Sequence, residues 1–257
     1  MLGTIRKVGE VLELFTQEQP EWGVSEVAQA LGLPKSSAHA LLATLTQIGL
    51  LHKTPEGRYR LGWRVLALSQ VLLSANAWRL EARRAMERLV ACYGETTHLA
   101  TLEAGRVVYV DKLEGTRAVR VNLTRIGAEL YAHCSGVGKV LLAFRPWPEV
   151  ERIVAEKGLP ALTPNTITTP DELKTELLRV RERGCAYDIE EAMPELCCVA
   201  APIRDYTGEV VAALSLSVPF YRFRERKEAY REAVLQAAAE VSERLGFVEE
   251  VAWKKSR

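Results

Sequence analysis

The chain has 257 residues, with 34 lysines and arginines against 33 acidic residues, and its formal net charge is +1. Hydrophobic residues make up 48% and charged residues 26%, which is typical of a globular protein with one large or two modest domains. The near-zero charge excludes strong long-range attraction to a polyanion. No apolar run is long enough to span a membrane, residues 1–12 lack the features of a signal peptide, and five cysteines without a paired framework favour a reducing cytoplasm.

The first fifth of the chain predicts three short helices. Residues 5–17 carry apolar side chains at helical spacing and are expected to close a small core. In the second helix Ser25 is a candidate N-cap, and Gly32 can take the left-handed conformation that ends it. Pro34 suits the first position of the third helix, where its missing N–H costs nothing. The inward face of this third helix is marked by Leu41, Leu42, Leu45 and Ile48.

A small hairpin follows the third helix. Residues 54–57 (TPEG) form a turn pattern, and flanking strands are predicted at 50–53 and 58–61. Arg58 and Arg60 alternate with Tyr59, so both arginines are expected on one face, which suits a phosphate backbone. Two helices joined by a tight turn and followed by a basic hairpin predict a winged helix-turn-helix over residues 1–62. The alternative is a solvated hairpin on a helix pair that packs against protein.

The predicted DNA contacts lie at the start of the third helix and in the hairpin. A recognition helix presents its N-terminal residues to base edges, and short hydroxyls beside exposed N–H groups can bond phosphate. Residues 1–62 hold six basic and six acidic side chains, so recognition must depend on a few short-range contacts. The candidate DNA-binding residues are Lys35, Ser36, Ser37, His39, Thr44, Arg58 and Arg60.

Residues 63–78 predict a linker helix with a broad apolar surface. Its apolar residues are Val65, Leu66, Leu68, Val71, Leu72, Leu73 and Ala75. A linker helix in a lone subunit does not need so much apolar surface, whereas pairing with a second subunit would bury it. We therefore expect a homodimer. The alternative is that this helix packs on the C-terminal domain of its own chain.

Residues 79–250 predict a mixed domain, followed by a C-terminal tail at 251–257. Helices are expected at 80–92, 138–144, 148–157, 171–183 and 225–245. Strands are expected at 98–103, 106–112, 118–123, 185–189, 197–203 and 209–217, with hairpin turns at 104–105 and 205–208. Antiparallel hairpins with helices between them favour an α+β fold over a doubly wound one. The sequence has neither a glycine-rich dinucleotide fingerprint nor a phosphate-binding P-loop.

Three features together resemble the IclR family of bacterial transcription regulators. They are the segment 24–61, the run HCSGVGKVLLA at 133–143, and the spacing Gly184-x3-Asp188-x2-Glu191-x6-Cys198. The resemblance covers nearly the whole chain. It implies a winged helix-turn-helix, a linker helix and a GAF-like effector-binding domain, in dimers that often pair into tetramers on DNA. The chain departs from the family pattern at Ala40, where relatives often carry Arg, and at Arg204, where an aromatic residue, His or Gly is usual.

The C-terminal domain contains the candidate effector site. Residues 135–138 precede a helix, so their N–H groups can meet a carboxylate or another oxygen, and the two glycines allow a ligand to approach closely. Ser215 and Ser217 share one strand face, where a ligand can supply their hydrogen bonds. The resemblance implies a pocket at Gly136, Val137, Asp188, Cys198, Ser215 and Ser217. The full predicted set is Ser135, Gly136, Val137, Gly138, Asp188, Cys198, Ser215 and Ser217. The alternative is that the serines face water and Cys198 is a small core residue.

The expected function is that of a cytoplasmic, ligand-responsive repressor that is not an enzyme. Its partners would be a near-palindromic DNA operator, a second copy of the chain or a dimer of dimers, and a small organic effector, either a carboxylate or an aromatic compound. No cofactor or metal is expected, because His133-Cys134 and Cys197-Cys198 lack the two-residue spacing of zinc ligands. The rival is a cysteine-dependent enzyme domain fused to a DNA-binding domain, with Cys198, a histidine and Asp188 reacting. A third reading gives the second domain only an assembly role.

Overall fold

The computed structural model describes residues 3–117 and 126–248. The chain divides into two compact units between Ala75 and Asn76. The strand predicted at 118–123 and the tail predicted at 251–257 lie outside the described residues.

The N-terminal unit contains helices α1 (Gly3–Glu13), α2 (Val24–Ala30) and α3 (Lys35–Gln47), strands β1 (Leu51–Lys53) and β2 (Tyr59–Leu61), and helix α4 (Trp63–Ser74). Strands β1 and β2 pair antiparallel, and Trp22 adds an isolated bridge to Tyr59. The small core draws on all of these elements except α4, through Val11, Val27, Ala38, Leu42, Leu45, Leu51 and Tyr59. This arrangement confirms the predicted winged helix-turn-helix fold.

The ends of α2 and α3 differ in detail from the prediction. The N-cap of α2 is Gly23, whose N–H donates to the Glu26 carboxylate at 2.7 Å, so Ser25 lies inside the helix and does not cap it. Gly32 takes the expected left-handed conformation, with φ +62°, and the Leu33 N–H closes the turn on the Ala28 carbonyl at 2.8 Å. Pro34 is the N-cap of α3 and not its first residue, because its ψ of 142° is extended while its carbonyl already accepts the Ala38 N–H.

The predicted linker helix is shorter than expected. Helix α4 ends at Ser74, and a separate helix α5 (Ala77–Tyr93) begins after Asn76, whose φ of −105° and ψ of 85° are not helical. Asparagine favours such a break because its side chain competes for nearby hydrogen-bonding groups, and here it accepts the Trp78 indole N–H at 3.1 Å. No side chain of α4 is buried within the chain.

The C-terminal unit is built on one antiparallel sheet. Its strands are β3 (Thr96–Glu103), β4 (Arg106–Leu113), β5 (Glu129–Tyr131), β6 (Ala186–Ile189), β7 (Leu196–Arg204) and β8 (Val210–Pro219), in the order β5-β4-β3-β8-β7-β6. Helices α5 and α9 (Phe220–Arg244) cover one face. Helices α6 (Gly136–Ala143), α7 (Trp147–Lys157) and α8 (Pro170–Arg183) cover the other. The expected α+β class is confirmed, since helices flank a meander of antiparallel strands.

Most predicted elements of this unit lie close to the observed ones, with two differences. Strand β5 was not predicted, because three residues are too few to show an alternating pattern. Helix α9 starts earlier than expected, at Phe220, and has a non-helical residue at Arg226 (φ −130°) that interrupts its periodicity. The turn at 104–105 is confirmed, with φ of +47° at Ala104 and +78° at Gly105.

Candidate functional site

Helix α3 presents a polar, solvent-exposed face. Ala38, Leu42 and Leu45 are buried in the core, while the predicted contact residues of this helix are all exposed: Lys35, Ser36, Ser37, His39 and Thr44. The first helical hydrogen bond joins the Ala38 N–H to Pro34, so the preceding N–H groups point beyond the helix end. The Thr44 hydroxyl donates to the Ala40 carbonyl at 2.8 Å, which leaves its oxygen able to accept but its proton already used. The face therefore offers donors at its N-terminal end.

The two wing arginines have different surroundings. Arg58 lies before β2 and is half-buried, and its guanidinium donates to the Glu26 carboxylate at 2.8 and 3.2 Å and to the Glu21 carbonyl at 2.8 Å. Arg60 lies in β2 and is exposed, directly opposite His52 of β1. Arg58 thus ties the wing to α2, whereas Arg60 is presented to solvent.

The second candidate site is a narrow cavity of about 30 Å³ between the sheet and the start of α6. Strand register builds its floor, because Asp188 of β6 pairs with Cys198 of β7, and Cys198 pairs with Ser217 of β8. Ser215 lies two residues along β8 on the same face. Ser135, Gly136 and Val137 line the cavity from the α6 side. Seven of the eight predicted effector residues therefore come together.

Gly138, the eighth predicted residue, does not line the cavity. A Cβ at this position would lie 2.3 Å from the Ala132 carbonyl oxygen and 2.7 Å from Ser135 Oγ. The Gly138 N–H donates to Ser135 Oγ at 3.1 Å. Gly138 is therefore required by the tight turn into α6 and not by ligand approach. A Cβ at Gly136 would likewise point at the protein, 3.4 Å from Ala200 Cβ.

Sequence reasoning missed five lining residues: Tyr109, Leu130, Ala192, Met193 and Leu196. The sequence could have indicated Tyr109, since strand alternation places it on the same face as Val107, which is buried under α6 and α7. Leu130 belongs to the unpredicted β5. Ala192 and Met193 belong to the segment between β6 and β7, and Leu196 is the first residue of β7. The course of this segment depends on the left-handed residues Glu190 and Glu195.

A hydrogen-bond chain crosses the cavity floor. The Cys198 thiol lies 3.0 Å from Ser217 Oγ, which in turn lies 3.2 Å from His98 Nδ1. Burial lowers the pKa of His98 to about 3, so its ring is neutral at physiological pH. Burial, followed by the negative charge of Asp188, raises the pKa of Cys198 well above that of a free thiol. The thiol therefore stays protonated, which removes the thiolate that nucleophilic chemistry needs.

Asp188 is held by backbone donors on one side only. Its Oδ1 accepts the N–H groups of Glu191 at 2.8 Å and Ala192 at 3.4 Å. Burial raises the pKa of this carboxyl to about 7, against the lowering effect of Lys139. The Lys139 ammonium itself is buried and pairs with the Glu191 carboxylate. Thr163 and Thr166 fix the same segment by donating to the carbonyls of Glu190 and Glu191, each at 2.6 Å.

The two histidine and cysteine pairs, His133-Cys134 and Cys197-Cys198, do not come together as metal ligands. Cys197 packs in the core beneath α9 while its neighbour Cys198 faces the cavity, because successive residues of a strand point to opposite faces. His133 Nε2 lies 3.2 Å from the Pro160 carbonyl. Within residues 3–117 and 126–248, no three His, Cys, Asp or Glu side chains form a group that could hold a metal ion. Over the same residues, no helix combines the length and apolarity needed to cross a bilayer.

A winged helix-turn-helix joined to a sheet domain, with an internal cavity that polar side chains line in part, is the architecture of ligand-responsive transcription regulators. Comparison with known proteins gives the family. Residues 4–55 match the IclR helix-turn-helix domain, and residues 70–243 match the bacterial transcriptional regulator IclR C-terminal domain. The chain belongs to the IclR family, and it is a transcriptional regulator with a DNA-binding and a ligand-binding domain.

Named relatives and solved structures agree along nearly the full chain. The HTH-type transcriptional regulator XynR of Escherichia coli is 32% identical over 96% of this chain and 98% of its own length. The transcriptional repressor IclR of Escherichia coli is 31% identical over 91% and 86%. The Thermotoga maritima IclR structure is similar at a TM-score of 0.74 with 31% identity, covering 96% of this chain and all of that one. An IclR homologue from Microbacterium hydrocarbonoxydans, complexed with 4-hydroxybenzoate, is similar at a TM-score of 0.82 with 30% identity, covering 95% and 99%.

Proposed function

We propose that this regulator is a cytoplasmic repressor whose paired α3 helices read a near-palindromic operator, and that a small organic effector in the α6 cavity changes its affinity for DNA. The exposed face of α3, with hydrogen-bond donors at its N-terminal end, supports the proposed DNA binding. The polar groups on the cavity floor that lack hydrogen-bond partners among the described residues support the proposed effector binding. Two of the relatives found are named as repressors, which supports this sign of regulation.

The roles of individual DNA contacts follow from their surroundings. Ser37 and His39 lie on the first turns of α3, where side chains reach base edges, so Ser37→Ala and His39→Ala should change preference between operators by about 1–3 kcal/mol. Arg60 is exposed on the wing, so Arg60→Ala should weaken binding to all sequences and lower the salt slope by about one.

Arg58 serves as an internal control for this assignment. Because its guanidinium is engaged with Glu21 and Glu26, Arg58→Ala should lower the melting temperature of the DNA-binding unit as well as DNA affinity. Arg152→Ala removes an exposed charge from α7 in the other unit and should do neither. Fluorescence anisotropy on operator and scrambled duplexes at several salt concentrations checks the set. Equal losses on every duplex for Ser37→Ala, His39→Ala and Arg60→Ala would overturn the roles.

A second copy of the chain is the proposed partner of α4. Apolar residues occupy all sides of this helix, and Trp63, Leu66, Leu68, Val71 and Leu72 are each more than half exposed within the chain. A helix that is apolar all round is normally buried, and paired half-sites on DNA require two reading heads. We propose a homodimer through α4, which can pair further into a tetramer on DNA.

Effector sensing explains the cavity better than catalysis does. Cys198, Ser217 and His98 are in hydrogen-bond contact, which favours the enzyme reading by geometry alone. However, burial keeps the thiol protonated and the imidazole neutral, so neither an activated nucleophile nor a base of useful strength is formed. We propose that the protein is not an enzyme and needs no cofactor. Hydrolysis of a reactive ester such as p-nitrophenyl acetate, abolished by Cys198→Ala, would contradict this.

The sensing function is tested by measuring melting temperature and operator affinity together. A metabolite screen should find small organic compounds that raise the melting temperature and change operator affinity in the same concentration range. Ser217→Val should remove both effects, while Asp205→Asn, in an exposed turn, should keep them. A protein that binds operator DNA but responds to no compound would favour the assembly role for the second domain.

A further inference from the structure

The cavity presents unused hydrogen-bond donors on its α6 side. The first bonds of α6 join the Gly138 and Lys139 N–H groups to Ser135, so the N–H groups of Gly136 and Val137 bond to nothing within the described ranges. An independent observation points to a ligand in the same place. The Ser215 side chain lines the cavity, its residue is 3% exposed, and its hydroxyl has no partner among residues 3–117 and 126–248.

Asp188 faces these donors with one oxygen uncommitted. Oδ1 accepts two backbone N–H groups, while Oδ2 makes no hydrogen bond with any residue that the structure describes. None of the described residues that line the cavity is a cation that could neutralise an incoming anion. The buried Lys139 ammonium nearby is paired with Glu191. Five further titratable groups near Asp188 carry no charge at pH 7, because burial raises the pKa of the thiols and the phenol and lowers that of the imidazole. They are Cys134, Cys197, Cys198, Tyr109 and His98.

These groups impose opposite demands on one ligand. The two N–H groups and the Ser215 hydroxyl suit a carboxylate, since a helix start with free N–H groups favours an anion. An ionised Asp188 on the far wall would repel that carboxylate at close range and low dielectric. A proton on Oδ2 resolves the conflict, because the carboxyl group then donates a hydrogen bond to the anion.

We propose that the effector is a small carboxylic acid that binds together with one proton, held between a ligand oxygen and Oδ2 of Asp188. The proposal rests on the cavity being the effector site. The proton comes from solvent and no covalent bond changes. Burial already raises the pKa of Asp188 to about 7, so the proton is taken up at little cost near neutrality. A bound carboxylate raises that pKa further, which couples the two binding events.

Cavity size narrows the class of acid. A cavity that accepts a benzene ring has a volume of about 150 Å³, whereas this one has about 30 Å³. A short aliphatic acid therefore fits with small side-chain adjustments. An aromatic acid requires the segment carrying Met193 and Leu196 to move. Short hydroxy or oxo acids are favoured, because the Tyr109 hydroxyl on the cavity wall can bond a second ligand oxygen.

Calorimetry on the full-length protein tests the proposal, with acetate, glycolate, lactate and pyruvate as probes between pH 6 and 9. We expect an affinity for at least one acid that is constant below about pH 7 and falls tenfold per pH unit above it. Titrations at pH 8 in buffers of different ionisation enthalpy should show uptake of close to one proton. Asp188→Asn should bind the same acid with no proton uptake and no pH dependence, whereas Asp171→Asn, at an exposed site on α8, should behave as the wild type.

Three results would overturn the proposal. They are binding without proton uptake, affinity that rises with pH as for a cationic ligand, and no binding of any of the four acids at any pH. The wild-type proton count decides the matter even if Asp188→Asn does not fold. The proposed function fails separately: it fails if operator DNA is bound but no compound of any class changes that binding.

Discussion

Gly138 shows how one missing side chain can determine where a site forms. Its Cβ would lie 2.3 Å from the Ala132 carbonyl oxygen, which belongs to backbone that cannot turn away. We expect Gly138→Ala to destabilise the C-terminal unit by about 1–3 kcal/mol, as overpacking of a tight site does. Gly136→Ala, whose Cβ would meet only the Ala200 and Cys198 side chains at 3.4 and 3.5 Å, should cost less. Urea denaturation followed by circular dichroism measures the difference, and a larger loss for Gly136→Ala would contradict it.

His98 gives stability a defined pH dependence. Its pKa falls from about 6.5 to about 3 on folding, so the native state resists protonation and the stabilisation present above pH 6.5 is lost as pH falls. The contribution of His98 alone should fall by about 2 kcal/mol between pH 7 and pH 5. His98→Gln should not show this loss. Asp188, with its pKa raised to about 7, acts oppositely by stabilising the fold as pH falls. The contribution of His98 is therefore measured as the difference in unfolding free energy between the wild type and His98→Gln, in urea denaturation series at pH 7 and pH 5.

The residues of the cavity were predictable only in part. Ser215 and Ser217 could be paired from the period of a strand, and the motif spacing gave Asp188 and Cys198. Strand alternation could place Tyr109 on the same face of β4 as Val107. Its position in the cavity could not be predicted, because which strands are neighbours in the sheet is set by packing over long sequence separations. Strand alternation predicted that Arg58 and Arg60 share one face. It cannot predict the ion pairs of Arg58 with Glu21 and Glu26, which lie far from it in the sequence.

At the scale of elements, helix α4 stands out because none of its apolar side chains is buried within the described chain. Its apolar residues are exposed within one subunit, and their burial in a dimer would contribute about 25 cal/mol for each square ångström covered. Leu66→Glu and Val71→Glu together should therefore shift the protein toward monomers and weaken operator binding by an order of magnitude or more. Light scattering after size exclusion measures the mass. The control is Gln70→Glu, which adds charge at an exposed polar position of the same helix and should leave the dimer intact.

Element types were easier to predict from the sequence than element ends. Helix α8 lies within one residue of its predicted bounds, and the structure shows Thr169 as its N-cap and Gly184 as its left-handed C-cap. The predicted helix at 63–78 was wrong beyond Ser74. The apolar spacing continues past Asn76, but the backbone leaves the helical conformation there. Local hydrogen bonding ended the helix where the hydrophobic pattern gave no warning.

At the scale of the whole molecule, the two functions must influence each other equally. If an effector reduces operator affinity by some factor, the operator must reduce effector affinity by the same factor. A coupling of about 5–150-fold is typical of such proteins. Effector titrations with and without saturating operator duplex measure the second factor, and anisotropy measures the first. Unequal factors would show that the effector acts outside a binding equilibrium, for example by driving aggregation.

The sheet of the C-terminal unit separates two kinds of mutation. Along β7 and β8, Cys198, Ala200, Ser215 and Ser217 face the α6 side, while Val199, Ala201, Leu214 and Leu216 face the core beneath α5 and α9. Hydrogen-bonded register keeps these alternating sets from exchanging places. Every second residue can therefore be varied to retune what the cavity admits, while the interleaved residues preserve the fold. A library restricted to the positions of β7 and β8 that face α6 is a direct route to biosensors with new ligand responses.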